Sequence, residues 1–369
     1  MIFFPRPDPW WRGLASVRRA GDADHLRTAD SPLAAGSSMT GYSRRFFVSL
    51  ALAGLGGGLV RSQAARAAST DFQTWLTELR KDAAQAGIRP ATLDAALQGV
   101  QPIERVLELD RRQPEFTMTF DQYQARVVNQ TRIDRGRVLL RENEELLNRV
   151  SARYGVPPRF IVSLWGIETD YGRITGNFRI VGALATLAYD GRRAAFFRKE
   201  LIDALKILDR GDIAPDQMLG SWAGAMGQSQ FMPSSYLAYA VDFDGDGRRD
   251  IWSSRPDVFG SIANYLAKVG WRGSENWGVR VVPPPNFDAA SFDQKQERPP
   301  AEWERLGFVR MDGQVSAHAP EQVASIILPG GADGPAYMTF GNYKVIMRWN
   351  RSNYFAVAVG TLADRIQRG

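Results

Sequence analysis

Phe160-Ile-Val-Ser-Leu-Trp-Gly-Ile-Glu-Thr-Asp-Tyr-Gly172 is an apolar helical segment with a carboxylate set inside it. On helical spacing Glu168 lies behind Ile161, Leu164 and Trp165, so its carboxylate shares a face with three hydrophobic residues. A buried charge without compensation costs free energy, and any fold that accepts this segment has to accommodate that cost. Burial disfavours the charged form and raises the carboxyl pKa, as a general acid near neutral pH requires. The other reading is a partly exposed Glu168 at a helix end, paired with Arg173.

The residue inventory narrows the chemistry further. Among 369 residues there is no Cys, and His occurs only at His25 and His318. Thiolate nucleophiles, disulfides and Cys/His zinc sites are therefore excluded, and a Ser-His-Asp triad would have to use one of those two His. Carboxylates, hydroxyls and amides remain.

The net charge of +6 misleads about partners. Residues 1–67 hold 9 of the 46 Lys+Arg and 4 of the 40 Asp+Glu, which leaves 37 against 36 in the remainder. A nucleic-acid surface would need a concentrated basic patch, so no nucleic-acid partner is expected.

Residues 42–69 combine Ser43-Arg44-Arg45-Phe46-Phe47, an apolar Gly-rich run and an Ala-x-Ala site at Ala65-Arg66-Ala67. That is the layout of a secretory signal, and the paired arginines resemble a twin-arginine signal that exports folded proteins to the periplasm. The apolar run falls short of the roughly twenty residues that span a bilayer. With no Cys after it, lipid attachment at a mature N-terminal Cys is ruled out. Met39 stands where a start would be expected, so 39–67 reads as the signal. Residues 1–38 read as an over-extended or disordered leader.

From 71 to 210 the periodicity is helical. Phe72, Trp75, Leu76 and Leu79 predict a helix ending near Gly87 and Pro90, and Ala91–Leu97 a short one closed by Gly99. One longer helix is expected over Ile133–Tyr154, capped by Gly155, with Pro157-Pro158 restarting the chain ahead of Glu168. Val181–Tyr189, Ala194–Leu208, Val258–Val269 and Asn353–Arg368 continue the pattern. Val279–Val282, Ala324–Leu328, Tyr337–Phe340 and Tyr343–Met347 read as short strands. The expected architecture is mainly α with a small β-containing insertion.

Two further motifs carry chemistry. Ser221-Trp-Ala-Gly-Ala-Met-Gly-Gln-Ser-Gln-Phe-Met-Pro-Ser-Ser-Tyr236 has too many small and polar residues for a core helix. Its Gly and Ala residues let a ligand approach the backbone, and Ser221, Gln228 and Gln230 offer groups suited to sugar hydroxyls and acetamides. Trp222, Phe231 and Tyr236 offer faces for pyranose rings. Asp242-Phe-Asp244-Gly-Asp246-Gly247 matches the start of an EF-hand loop, with the Arg248 carbonyl at position 7. Position 12 is Ser253 where Glu is expected, so Asp257 is the candidate closing acid. The ion these oxygens suit is a structural Ca²⁺.

In this order the motifs resemble the lytic murein transglycosylases of the B type (MltB-like, glycoside hydrolase family 103). The matching pieces are Gly166-Ile-Glu168-Thr-x-Tyr-Gly172, Ser221-x-Ala-Gly-Ala-Met-Gly-x-x-Gln230-Phe-Met-Pro-Ser-Ser-Tyr236, Asp242–Gly247 with Trp252, and Asn264-Tyr265 before Gly270-Trp271. The resemblance covers most of 71–366. It implies a lysozyme-like core over about 156–275, an adjoining helical domain, and a small β subdomain over about 276–348. Glu168 takes the place of the family's single catalytic acid/base, and Ser221, Gln230, Tyr123, Tyr265, Trp349 and Asn350 fall at cleft positions. Trp349 stands where the family more often has Tyr, which keeps a stacking face and loses the hydroxyl.

The implied partner is a peptidoglycan glycan strand, bound by a monomer without a cofactor for the chemistry. Glu168 would protonate the oxygen between N-acetylmuramic acid and N-acetylglucosamine, the 2-acetamido group would stabilise C1, and the muramic C6 hydroxyl would close a 1,6-anhydro ring. Two rivals remain at this stage: a hydrolytic muramidase with a second carboxylate such as Asp170, and a non-catalytic peptidoglycan-binding protein. Asp170, two residues on, points roughly 200° away on a helix.

Overall fold

A computed structural model describes the backbone of residues 56–111, 118–273, 275–313 and 322–368, with side chains from Asp71 onward. The expected leader and most of the export signal lie outside the described residues. The helices are α1 (Gly56–Gln85), α2 (Pro90–Leu97), α3 (Glu104–Arg111), α4 (Phe120–Val127), α5 (Gln130–Glu142), α6 (Glu144–Tyr154), α7 (Pro158–Thr169), α8 (Ile180–Tyr189), α9 (Ala194–Arg210), α10 (Pro233–Tyr239), α11 (Arg255–Lys268), α12 (Pro300–Arg305), α13 (Gly341–Trp349) and α14 (Asn353–Gln367). Two-residue strands β1 (Phe178–Arg179) and β2 (Leu219–Gly220) pair antiparallel. β3 (Gly278–Val282), β4 (Val309–Arg310), β5 (Ser325–Ile327) and β6 (Ala336–Thr339) form an antiparallel sheet in the order β4-β3-β6-β5.

Helix α7 organises the core. Every residue from Phe160 to Thr169 is buried, as befits a helix with no polar face to turn to water. α5, α6, α11 and α14 pack around it. Two glycines permit the close approaches: a Cβ on Gly166 would come within 2.6 Å of the Tyr171 ring, and one on Gly360 within 2.1 Å of the Trp277 ring. Ser163, polar and fully buried, donates to Val359 O at 2.7 Å and is thereby satisfied.

The single helix expected over 133–154 is two. Asn143 separates α5 from α6 with φ −111 and ψ 18, and its N–H reaches the carbonyls of both Leu139 and Arg141. Its side chain donates to Leu139 O at 2.7 Å and accepts from Arg255 on α11 at 3.3 Å. An Asn side chain competes with the helical ladder in this way, and a periodicity that runs on either side of it does not reveal the break. Gly155 caps α6 in the left-handed conformation as expected.

The four-stranded sheet has its own small core of Val279, Val281, Trp303, Phe308, Ile326 and Met338. Its other face presents Ile327 and Tyr337 to the main core, so β5 and β6 are buried on both sides. Residues 343–347, expected as a fourth short strand, lie instead in α13. Tyr343, Ile346 and Met347 also stand at the i, i+3, i+4 spacing of one helical face, and the buried set is Asn342, Tyr343, Val345 and Ile346. Arg272 and Glu275 fix the start of this helix: Gly341 N–H donates to the Glu275 carboxylate, Asn342 Nδ2 to Glu275 O, and Arg272 N–H to Asn342 Oδ1.

Candidate active site

Glu168 lies in the last turn of α7 with 8% of its surface exposed. Burial pushes its carboxyl up to about 7, against the opposing effect of a hydrogen bond from Trp349 Nε1 to Oε1 at 2.7 Å. A pairing with Arg173 does not occur. Arg173 sits 2.9 Å from Asp170, and Arg132 stands 3.5 Å from the same carboxylate. Asp170 has left the helix as its left-handed cap, at φ 51, and gathers both guanidinium groups there. The acid next in sequence to Glu168 is thus neutralised by two arginines while Glu168 has an indole.

Aromatic rings extend from that indole. The Trp349 ring packs 4.7 Å from Tyr265 and 5.2 Å from Phe231. Tyr265 in turn meets Tyr239 at 4.5 Å and Phe231 at 5.8 Å. Tyr265 donates its hydroxyl to Arg348 O at 2.7 Å, which anchors the residue preceding Trp349. Burial pushes the Tyr265 phenol far above its ordinary value, so it remains a neutral donor.

The 221–236 segment folds into a tight double turn. Ser221 N–H donates to Ala225 O, Ala225 N–H to Ser221 Oγ, and Met226 N–H to Phe231 O. Gln230 is at φ 51, a conformation uncommon outside glycine. Its Nε2 donates to Thr175 O at 3.1 Å and to Gly227 O at 2.8 Å, while its buried Oε1 has no protein partner. Gln228 is committed internally: Oε1 accepts from Trp165 Nε1 at 2.8 Å and Nε2 donates to Trp252 O at 2.8 Å. The amide of Gln228 is therefore no sugar ligand, contrary to the sequence expectation. Tyr236 is fully buried with its hydroxyl on Arg249 O at 2.6 Å, so its ring offers no face to a pyranose. Phe231 is 3% exposed and packs against Trp349 and Tyr265. Trp222 is half-buried.

Tyr123 lies on α4, buried, with its ring 5.7 Å from Tyr354 of α14. Asn350 is buried at the end of α13, where its Oδ1 accepts from Ser352 N–H at 3.1 Å. Glu168, Trp349, Tyr265 and Phe231 thus form one chain of contacts. Gln228 bonds Trp165, one helical turn before Glu168 on α7.

The 242–257 loop gathers four acids. Carboxylate oxygens of Asp242, Asp244, Asp246 and Asp257 all lie within 4.8 Å of one another. Asp257 is fully buried, and its two oxygens accept from Phe243 N–H and Asp250 N–H, each at 2.7 Å. Burial pushes its carboxyl up to about 6, and the neighbouring Asp244 and Asp242 add to the effect. Asp242 accepts from the N–H groups of Gly245 and Gly247, and Ser254 Oγ donates to Asp244 at 2.8 Å. Arg248 is exposed in this loop and places its N–H on Asp246 at 2.8 Å.

Sequence reasoning missed Glu200. This buried acid on α9 accepts from Ser234 N–H at 2.9 Å and Ser234 Oγ at 2.7 Å, capping α10 across helices. Its place between Phe197 and Ala204, at helical spacing on α9, was its only signal.

A family model described as transglycosylase SLT domain matches residues 71–364. Membrane-bound lytic murein transglycosylase B of Escherichia coli K12 is 34% identical over 249 residues, which is 66% of this chain and 66% of that protein. The structure of SltB3 from Pseudomonas aeruginosa in complex with NAG-NAM-pentapeptide superposes with a TM-score of 0.78 at 41% identity, covering 81% of this chain and 80% of that one. Escherichia coli Slt35 in complex with calcium gives 0.68 at 31% identity, covering 81% and 93%.

Proposed function

The chain belongs to the transglycosylase SLT domain family, among the lytic transglycosylases of the B type, and we propose that it cleaves peptidoglycan glycan strands without consuming water, with Glu168 as its one acid and base. The observation that carries this reading is the environment of Glu168: a carboxyl held near 7 by burial, beside an acid, Asp170, that two arginines keep occupied.

Protonated Glu168 gives its proton to the glycosidic oxygen as the bond from muramic C1 breaks. The substrate's 2-acetamido group stabilises C1. Ionised Glu168 then takes the C6 hydroxyl proton while that oxygen bonds to C1, closing a 1,6-anhydro ring. The proton Glu168 loses in the first half returns in the second. Ser221, Gln230, Tyr265, Trp349, Asn350 and Tyr123 are the proposed saccharide contacts, and the orphaned Gln230 Oε1 suits an acetamide N–H.

The acidic loop fits a hard cation. Asp242, Asp244, Asp246 and Asp257 would hold Ca²⁺, with the Arg248 carbonyl as a further oxygen. The ion's part is to fix the loop; Glu168 and the substrate carry the chemistry. Export by the twin-arginine-like segment would bring the protein to the periplasm as a monomer. Among the described residues no helix is long and apolar enough to cross a membrane.

Muropeptide mass spectrometry after digestion of purified sacculi tests the proposal. It predicts 1,6-anhydro-muramic ends. Reducing muramic ends would favour the hydrolytic reading, and intact sacculi the non-catalytic one.

A further inference from the structure

Trp349 meets Glu168 through a group with no alternative role. An indole N–H donates and never accepts, and here it donates to Oε1 at 2.7 Å across 181 residues of sequence. Oε1 therefore cannot turn a proton toward the indole. Of the two oxygens of a neutral carboxyl, the carbonyl oxygen is the better acceptor, so an anchored Oε1 leaves Oε2 as the oxygen that carries the acid proton.

We infer that Trp349 is a positioning residue that assigns the two oxygens of Glu168 different tasks, Oε1 as the anchored acceptor and Oε2 as the atom that delivers and recovers the proton. This rests on Glu168 being the acid and base. In the first half the Oε2–H bond breaks and its proton passes to the departing glycosidic oxygen. Oε1 stays bonded to Nε1–H while the carboxylate is negative, when such a bond is strongest. In the second half the C6 hydroxyl proton returns to Oε2, so the site is reset without rotation of the carboxyl. A phenol in this place could either donate or accept, and would leave the assignment open.

The charged groups around α7 are engaged elsewhere. Arg132 of α5 faces Asp170, and Arg153 of α6 lies over the Tyr154 ring. On α11, Tyr265 donates to Arg348 O, Arg255 stands 6.0 Å over the Trp165 ring, and Asp257 holds two backbone amides. Asp364 of α14 accepts from Trp277 and stands 3.5 Å from Arg159. Among the described residues Trp349 is the side chain that bonds Glu168.

The test compares wild type with Trp349→Phe, which keeps a ring and removes the donor, and Trp349→Tyr, which restores one. Turnover of a soluble peptidoglycan tetrasaccharide is measured from pH 5 to 9, together with the ¹³C titration of the labelled Glu168 carboxyl. Because the indole favours the ionised form, Trp349→Phe should move both the alkaline limb of kcat/KM and the NMR midpoint upward by about one pH unit. Its kcat at the optimum should fall about tenfold with KM little changed, and Trp349→Tyr should return both curves toward wild type. Unmoved curves, or a loss confined to KM, would overturn the assignment and leave Trp349 as a stacking wall. The NMR midpoint reads the bond even if a variant loses turnover, and circular dichroism checks that each variant folds. Glu168→Gln is run in parallel. If it stays active, the acid/base reading itself fails, whatever Trp349 does.

Discussion

Trp165 Nε1 donates to Gln228 Oε1 at 2.8 Å. Thr169 Oγ1 donates to Gln228 O at 3.0 Å, so two successive turns of α7 on either side of Glu168 are tied to one residue of the 221–236 turn. Gln228 Nε2 continues the link to Trp252 O, beside the acidic loop. Helix α7, the 221–236 turn and the acidic loop are thus keyed together by one amide side chain.

Gln228→Ala should accordingly damage both stability and turnover. It strands a buried indole N–H and a backbone carbonyl, which costs about 2–4 kcal/mol on general grounds. Loss of alignment should lower kcat by about 10- to 100-fold. Urea denaturation and steady-state kinetics check the two effects, and a variant with unchanged kcat would remove Gln228 from the positioning account.

Glu168→Gln should abolish the clearing of sacculi while the fold persists. A neutral amide neither gives nor takes the proton, a role contributing about 10²–10⁴-fold or more. Turbidity loss at the wild-type rate would show the acid to be elsewhere.

The raised carboxyl of Glu168 has a consequence for stability as well as rate. Its folded pKa of about 7 lies above the ordinary 4.5, so ionising it opposes folding. The stabilisation from its neutral form is complete below about pH 4.5 and is lost as pH rises to about 7. Glu168→Gln should melt higher than wild type at pH 8, by up to about 3 kcal/mol, with the difference vanishing near pH 4. Equal melting temperatures at pH 8 would mean that burial does not disfavour this carboxylate.

Chelation should lower the melting temperature. An ion that binds the native state alone adds about 2.7 kcal/mol at a hundredfold its Kd. Asp246→Ala, at the exposed tip of the loop, should weaken Ca²⁺ binding and shift the metal-free melt by no more than about 0.5 kcal/mol. Calorimetry in EDTA and in millimolar Ca²⁺ separates these, and identical melts in both would take the ion out of the account.

What was readable in the chain divides by how local its cause is. Helix α7 and its embedded acid follow from residues within a dozen positions, and so do the Gly155 cap and the spacing of Asp242, Asp244 and Asp246. The partner of Glu168 is 181 residues away, and nothing near Trp349 announces an indole aimed at a carboxyl. Composition marked the 221–236 turn as polar, but polarity does not say which amides face a ligand. Gln228 and Tyr236 spend their polar atoms on Trp165, Trp252 and Arg249. Residues 343–347 fit a strand through Tyr343, Val345 and Met347 and a helix through Tyr343, Ile346 and Met347, and the choice falls to Glu275 and Arg272, which hold the start of α13 from outside it.

In the proposed mechanism the substrate's own C6 hydroxyl, and no water, attacks C1. An aligned intramolecular hydroxyl reaches an effective molarity of roughly 10⁵ M or more, and Asp170, bound to Arg132 and Arg173, is poorly placed to activate a water instead. Digestion of purified sacculi in ¹⁸O-water, followed by mass spectrometry of the muropeptides, reads this directly. Unlabelled 1,6-anhydro-muramic ends are expected, one water lighter than hydrolytic products and resistant to borohydride. Reducible muramic acid carrying ¹⁸O as the main product would contradict it.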